Sequence, residues 1–145
     1  MKPLLKVGSE AVVTIDVSEA MCPAFDGVVV HRVCSTWDMA HHMEVAARKV
    51  LAPHLDDDEE GIGSHLSIDH VAPAPVGSTI SVRAEAVEVD GSTLVCTVEA
   101  RDANDTTAVL ATGRQVQRIL PRRTIQDIMA QATARSQPNT GATDA

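Results

Sequence analysis

The sequence predicts an α+β protein in which an antiparallel sheet wraps around one long helix. Three observations carry that expectation. Residues 35–52, "STWDMAHHMEVAARKVLA", repeat their apolar side chains at helical spacing over about half the circumference. Downstream the apolar period changes to two, the spacing of strands. Asp90–Gly91 then sits between two such runs as a hairpin signal. With 145 residues, 44% of them hydrophobic and 22% charged, the chain can build one domain around one core, expected over residues 1–135.

Taken in order, "EAVVTIDVSEAM" (10–21) alternates up to Val17 and reads as a first strand. "CPAFDGVVVHRVC" (22–34) mixes Pro, Gly and a valine run, and an irregular covering segment is expected there. The long helix opens at Ser35 and stops near Ala52, because Pro53 cannot continue the hydrogen-bond ladder. "DDDEE" (56–60) reads as a solvated acidic loop without the glycine and spacing of a calcium site. "SHLSIDHVA" (64–72) puts Leu66, Ile68, His70 and Ala72 on one strand face, with His65, Ser67, Asp69 and Val71 on the other. "APAPVGS" reads as a turn between that strand and "TISVRAEAVEV", whose hairpin partner is "STLVCTVEARD". "AVLATGRQVQRIL" is the last strand, and "TIQDIMAQATA" a short amphipathic helix with Ile125, Ile128 and Met129 on its apolar side. Residues 136–145, "SQPNTGATDA", are expected to be a disordered tail.

Composition narrows the function. One Trp, one Phe and no Tyr leave no platform for stacking bases, and a net charge of -8 repels a phosphate backbone, so nucleic acid is not an expected partner. Cys22, Cys34 and Cys96 are odd in number and form no C-x-x-C pair, which suits free thiols in a reducing cytoplasm. No apolar stretch has the length of a signal peptide or a membrane span, so a soluble cytoplasmic protein is expected. Neighbouring His41 and His42 diverge on a helix, and neither a metal nor another cofactor is expected.

Chemistry is suggested by polar residues on apolar faces. Met39, Ala40, Met43, Ala46, Ala47, Val50 and Leu51 gather on one side of the helix, and Glu44 and Thr36 fall inside the same arc. Burying an unpaired carboxylate is costly or forces it to hold a proton. His70 raises the same question from the strand, where it shares a face with Leu66 and Ile68. A hydroxyl, a carboxylate and an imidazole converging in one groove suit acyl transfer. Taken singly, each has a structural alternative: Thr36 as a helix cap, Glu44 as a carboxylate paired to an arginine, His70 as a satisfied interior histidine.

Several longer pieces carry a resemblance: "KVG" near the start, "ST" opening the helix, "HMEVAARKVLAPHL", "GIGSHLSIDHVAPAPVGS" and "VEVDGSTL". From Lys6 to about Leu120 the chain resembles hotdog-fold thioesterases of the fluoroacetyl-CoA thioesterase type. The resemblance implies a hotdog fold and a homodimer with paired sites near the interface. It also implies that Thr36, Glu44 and His70 are catalytic, and that Gly63 lines the same site. Two departures set the chain apart. The family's "G-T-H-E-R" run reads "GRQVQ" here, with Gln117 where an arginine is expected, and Arg114 and Arg118 on the opposite face. "VVVH" before the helix lacks the aromatic lid of the fluoroacetyl specialist, so fluoroacetyl-CoA is not the expected substrate.

The expected activity is hydrolysis of a small or medium uncharged acyl-CoA, with coenzyme A entering only as part of the substrate. Val30, Met39, Met43 and Ile68 are the expected apolar pocket walls. Arg114, Arg118, Arg122 and Arg123 are a candidate cluster for the coenzyme A phosphates. Two alternatives share the scaffold: an enoyl-thioester hydratase using a carboxylate–histidine pair, and a non-catalytic acyl-CoA-binding module.

Overall fold

The structure, a computed structural model, describes residues 1–138. Its strands are β1 (Glu10–Asp16), β2 (Ala24–Phe25), β3 (Val28–Val29), β4 (Glu59–His70), β5 (Thr79–Val89), β6 (Thr93–Asp102) and β7 (Asp105–Pro121). Helix α1 spans Thr36–Leu51 and α2 spans Arg122–Ser136. The expected disordered tail begins where α2 ends, and residues 139–145 of it lie outside the described residues.

Local chemistry sets the bounds of α1. The Ser35 hydroxyl accepts the Asp38 backbone N–H at 3.1 Å, so Ser35 is the cap. Asp38 lies in the first turn and Arg48 and Lys49 in the last, each matching the sign of the helix dipole. Met39, Met43, Ala46, Ala47, Val50 and Leu51 are buried from this helix. They pack on the inner face of the sheet, where Ile80, Val82, Ala84 and Ala86 of β5 face in beside Leu94, Cys96, Val98 and Ala100 of β6. Small residues dominate that face and let α1 approach closely, so the core forms without aromatics. Each fully buried Met or Leu contributes about 1.5–3 kcal/mol.

The five-stranded antiparallel sheet has the order β1-β5-β6-β7-β4. Three sequence expectations change here. First, β4 pairs with β7 at the far edge, so "APAPVGS" is a crossover rather than a turn between neighbours. That segment runs beside the entry to α1: Cys34 N–H donates to the Ala74 carbonyl at 2.8 Å, and Val33 bridges Pro75. Second, β4 begins at Glu59, because β7 is long enough to pair it from Pro121 back to Ala111. Third, the segment before α1 contains the small β2–β3 hairpin, whose Asp26 and Gly27 have φ of 52° and 80° as a tight primed turn requires. At the β5–β6 hairpin, by contrast, the Asp90 carboxylate accepts the Ser92 and Thr93 N–H groups and closes the turn.

Close passage of β4 along β7 needs Gly113. A Cβ there would lie 1.9 Å from the Ser67 carbonyl oxygen. Among the described residues β4 has β7 as its one strand neighbour, so its other edge is open.

Candidate active site

Because the crossover after β4 is tied to the segment entering α1, His70 at the end of β4 meets the first turn of the helix. The Thr36 hydroxyl and His70 Nδ1 are hydrogen-bonded at 2.9 Å. Ser35 has taken the capping role, which frees the Thr36 hydroxyl for this contact. His70 Nε2 has no partner among the described residues. The imidazolium form would donate from Nδ1 to the Thr36 hydroxyl oxygen and keep Nε2–H as the free donor.

Glu44 is placed differently from the sequence expectation. The buried arc of α1 closes at Leu51, and Glu44 lies about 20° beyond it on the helical wheel. It is exposed in the single chain, so its carboxylate keeps solvent and needs no buried partner. It faces a groove of about 630 Å³ between α1 and the β4–β7 edge. Gly63 forms the opposite wall, where an added Cβ would lie 3.4 Å from Glu44 Oε2 and 3.3 Å from Gln115 Nε2. Along α1, Thr36, Ala40 and Glu44 share one stripe, the outer two about 12 Å apart. The seam between α1 and β4 thus holds a bonded Thr36–His70 pair at one end, outside the lining of the groove, and an unpaired carboxylate further along, inside it.

A family model described as "Fluoroacetyl-CoA-specific thioesterase" matches residues 17–123. The chain belongs to that family. The fluoroacetyl-CoA thioesterase of Streptantibioticus cattleyicolor is 36% identical over 73 residues, 50% of this chain and 52% of that protein. The chain therefore matches about half the length of this curated relative. A Thermus thermophilus protein described as a thioesterase superfamily member superposes with a TM-score of 0.86 at 33% identity, over 93% of this chain and 97% of that one. A variant of the fluoroacetyl-CoA thioesterase, solved with acetyl-CoA, superposes at 0.77 with 23% identity, over 88% and 98% of the two chains. The fold is the hotdog fold expected from the sequence.

Within this family member, the groove walls need correcting. Met39 and Met43 are wholly buried in the core, Ile68 packs partly buried against it, and Val30 is half-exposed outside the groove. Trp37, Ala40, Val45 and Leu66 form the apolar walls of this groove, and Gly63 lines it as well. The helical arc alone misleads here, because its centre faces the sheet and only its margin faces the groove. Phe25, three residues before the "VVVH" run, packs edge-on against Trp37 with centroids 5.7 Å apart.

The four arginines separate as well. Arg114 and Arg118 are exposed and alternate with inward-facing Gln115 and Gln117, which places them on the outer side of the sheet. Arg123 is exposed at the start of α2. Arg122 reaches Glu60 at 3.4 Å, and Glu60 holds Arg48 at 2.5 Å at the groove mouth beside Lys49. The Arg48 hydrogen bond, then the Gly61 N–H, holds the Glu60 carboxyl below its ordinary range. Arg48 and Lys49 also line the groove, although on a helical wheel they read as a solvated face.

Gln117 and Gln115 form the groove floor. Gln117 donates from Nε2 to the Ala47 carbonyl at 2.9 Å, fastening β7 to α1 where an arginine was expected. Gln115 is 1% exposed, and its Oε1 has no partner among the described residues. Such an unmet group costs about 1–3 kcal/mol. Inward alternation from Gly113 could have identified it from the sequence.

Proposed function

We propose that this chain is an acyl-CoA thioesterase that acts as a homodimer in the cytoplasm. The observation that carries the reading is the Thr36–His70 hydrogen bond, with Nε2 left free, on the seam that also holds unpaired Glu44. A thioester laid along this seam meets groups for each half of hydrolysis. Glu44 takes a proton from the attacking water, or attacks the carbonyl itself to form an acyl anhydride that water then opens to the free acid. As the C–S bond breaks, the imidazolium form of His70 gives its Nε2 proton to the leaving thiolate and is left as neutral imidazole, while Thr36 holds the ring at Nδ1. Gly63 leaves space beside Glu44 for the carbonyl.

Family membership supports the same reaction class. The apolar walls favour small or medium uncharged acyl groups over dicarboxylic ones, which would meet Glu44 with like charge. Arg48, Lys49 and Arg122 suit the coenzyme A phosphates at the mouth better than the outer-face arginines do. The open edge of β4 supports pairing with a second β4 across a two-fold axis. Thiol release over a panel of acyl-CoAs tests the activity. Turnover of saturated acyl-CoAs is expected; hydration of a short enoyl-CoA without thiol release would support the hydratase reading instead.

A further inference from the structure

The Gln115 carboxamide lies outside the proposed catalytic trio. Gln115 is 1% exposed, lines the groove, and has an Oε1 that nothing among the described residues satisfies. Its Nε2 lies 3.3 Å from the place where a Gly63 Cβ would stand. Neighbouring Gln117 shows that the fold can satisfy a carboxamide in this position, since it donates to Ala47. Gln115 is thus a buried polar group held ready without a protein partner, and a ligand that pairs with it removes the deficit.

We propose that Gln115 selects acyl groups bearing a hydroxyl close to the thioester, a 2- or 3-hydroxyacyl-CoA; this rests on the thioesterase reading above. Three constraints converge on that class. A hydroxyl both donates and accepts, so it serves either end of the carboxamide. It is uncharged, so it can lie near the Glu44 carboxylate without like-charge repulsion. Gln115 and Glu44 flank the same glycine, so the substituent it binds lies within a few bonds of the carbon on which Glu44 acts. The apolar walls of Ala40, Val45 and Leu66 then take the rest of a short chain.

The test compares kcat/KM for 2-hydroxybutyryl-, 3-hydroxybutyryl- and butyryl-CoA by thiol release. One hydroxy isomer is expected to exceed butyryl-CoA by about tenfold or more, because a site built to bond a hydroxyl rejects the analogue lacking it. In Gln115→Leu that ratio should collapse towards one, with Gln115→Asn as a second variant should the leucine protein not fold. Preference for butyryl-CoA, or equal rates because a bound water already satisfies Gln115, would overturn the selectivity while leaving thioesterase activity intact. Thiol release from none of a wide acyl panel would instead remove the activity on which the selectivity rests. A hydroxyacyl preference that persists in Gln115→Leu would place the selecting group elsewhere.

Discussion

The two ends of the α1–β4 seam solve opposite problems. At the Thr36–His70 end the side chains are bonded to each other at 2.9 Å, and the backbone is fastened by the crossover beside Cys34 and Ala74. At the Glu44–Gly63 end the carboxylate has no hydrogen bond or ion pair among the described residues, and the opposite wall is a glycine. One end holds an imidazole in a fixed orientation, as proton delivery requires. The other keeps an unpaired carboxyl group and an open volume, as attack on a carbonyl requires. The difference teaches that a carboxylate on the margin of an apolar face keeps contact with solvent, whereas one at its centre would need a buried partner.

Breaking either end should produce the largest effects. Glu44→Gln keeps size and removes the charge, so kcat should fall about 10²-fold or more, with the melting temperature near the parent's. His70→Ala should cost a similar factor by removing the proton donor. Next in size, Thr36→Ala should lower kcat about tenfold, and Thr36→Ser should be milder because it keeps the hydroxyl. Equal losses in both Thr36 variants would assign the role to the methyl group.

A smaller effect sharpens the open end. Gly63→Ala places a methyl at 3.4 Å from Glu44 Oε2 and 3.3 Å from Gln115 Nε2, tight but short of a clash. Folding should survive, and KM should rise a few-fold with kcat changed less; an unchanged KM would remove Gly63 from the substrate path. The smallest effect belongs to the mouth. The Glu60 carboxyl is held below its ordinary value of 4.5 by Arg48, so its stabilising contribution is complete above that value and is lost only as pH falls through the depressed one. Glu60→Gln should therefore lower the melting temperature slightly at pH 6, and the difference should vanish only in acid below about 4.5. A difference that disappears already at pH 5 would show that the pair is not formed.

Much of the closed end was legible in the sequence. The helix opening at Ser35, Pro53 as stop and the alternation of Leu66, Ile68 and His70 each follow from local chemistry, whereas the cap was offered to Thr36 and belongs to Ser35. The open end was less so. Wall residues were read from the centre of the helical arc, yet Met39 and Met43 belong to the sheet contact, because only the strand order determines which side of α1 meets β4. That order was itself hidden: "APAPVGS" carries turn residues but crosses the fold, and no local pattern names the partner of a strand. The Asp26–Gly27 turn was overlooked because its strands have two residues each, too short to show alternation.

The central claim is that both ends act on one thioester, and the double mutant Glu44→Gln/His70→Ala tests it most directly. If attack and proton delivery are parts of one event, the double mutant's kcat on the best acyl-CoA should fall little below that of the weaker single mutant. Losses that multiply, towards about 10⁴-fold, in a folded protein would show two groups acting independently and would contradict the shared site.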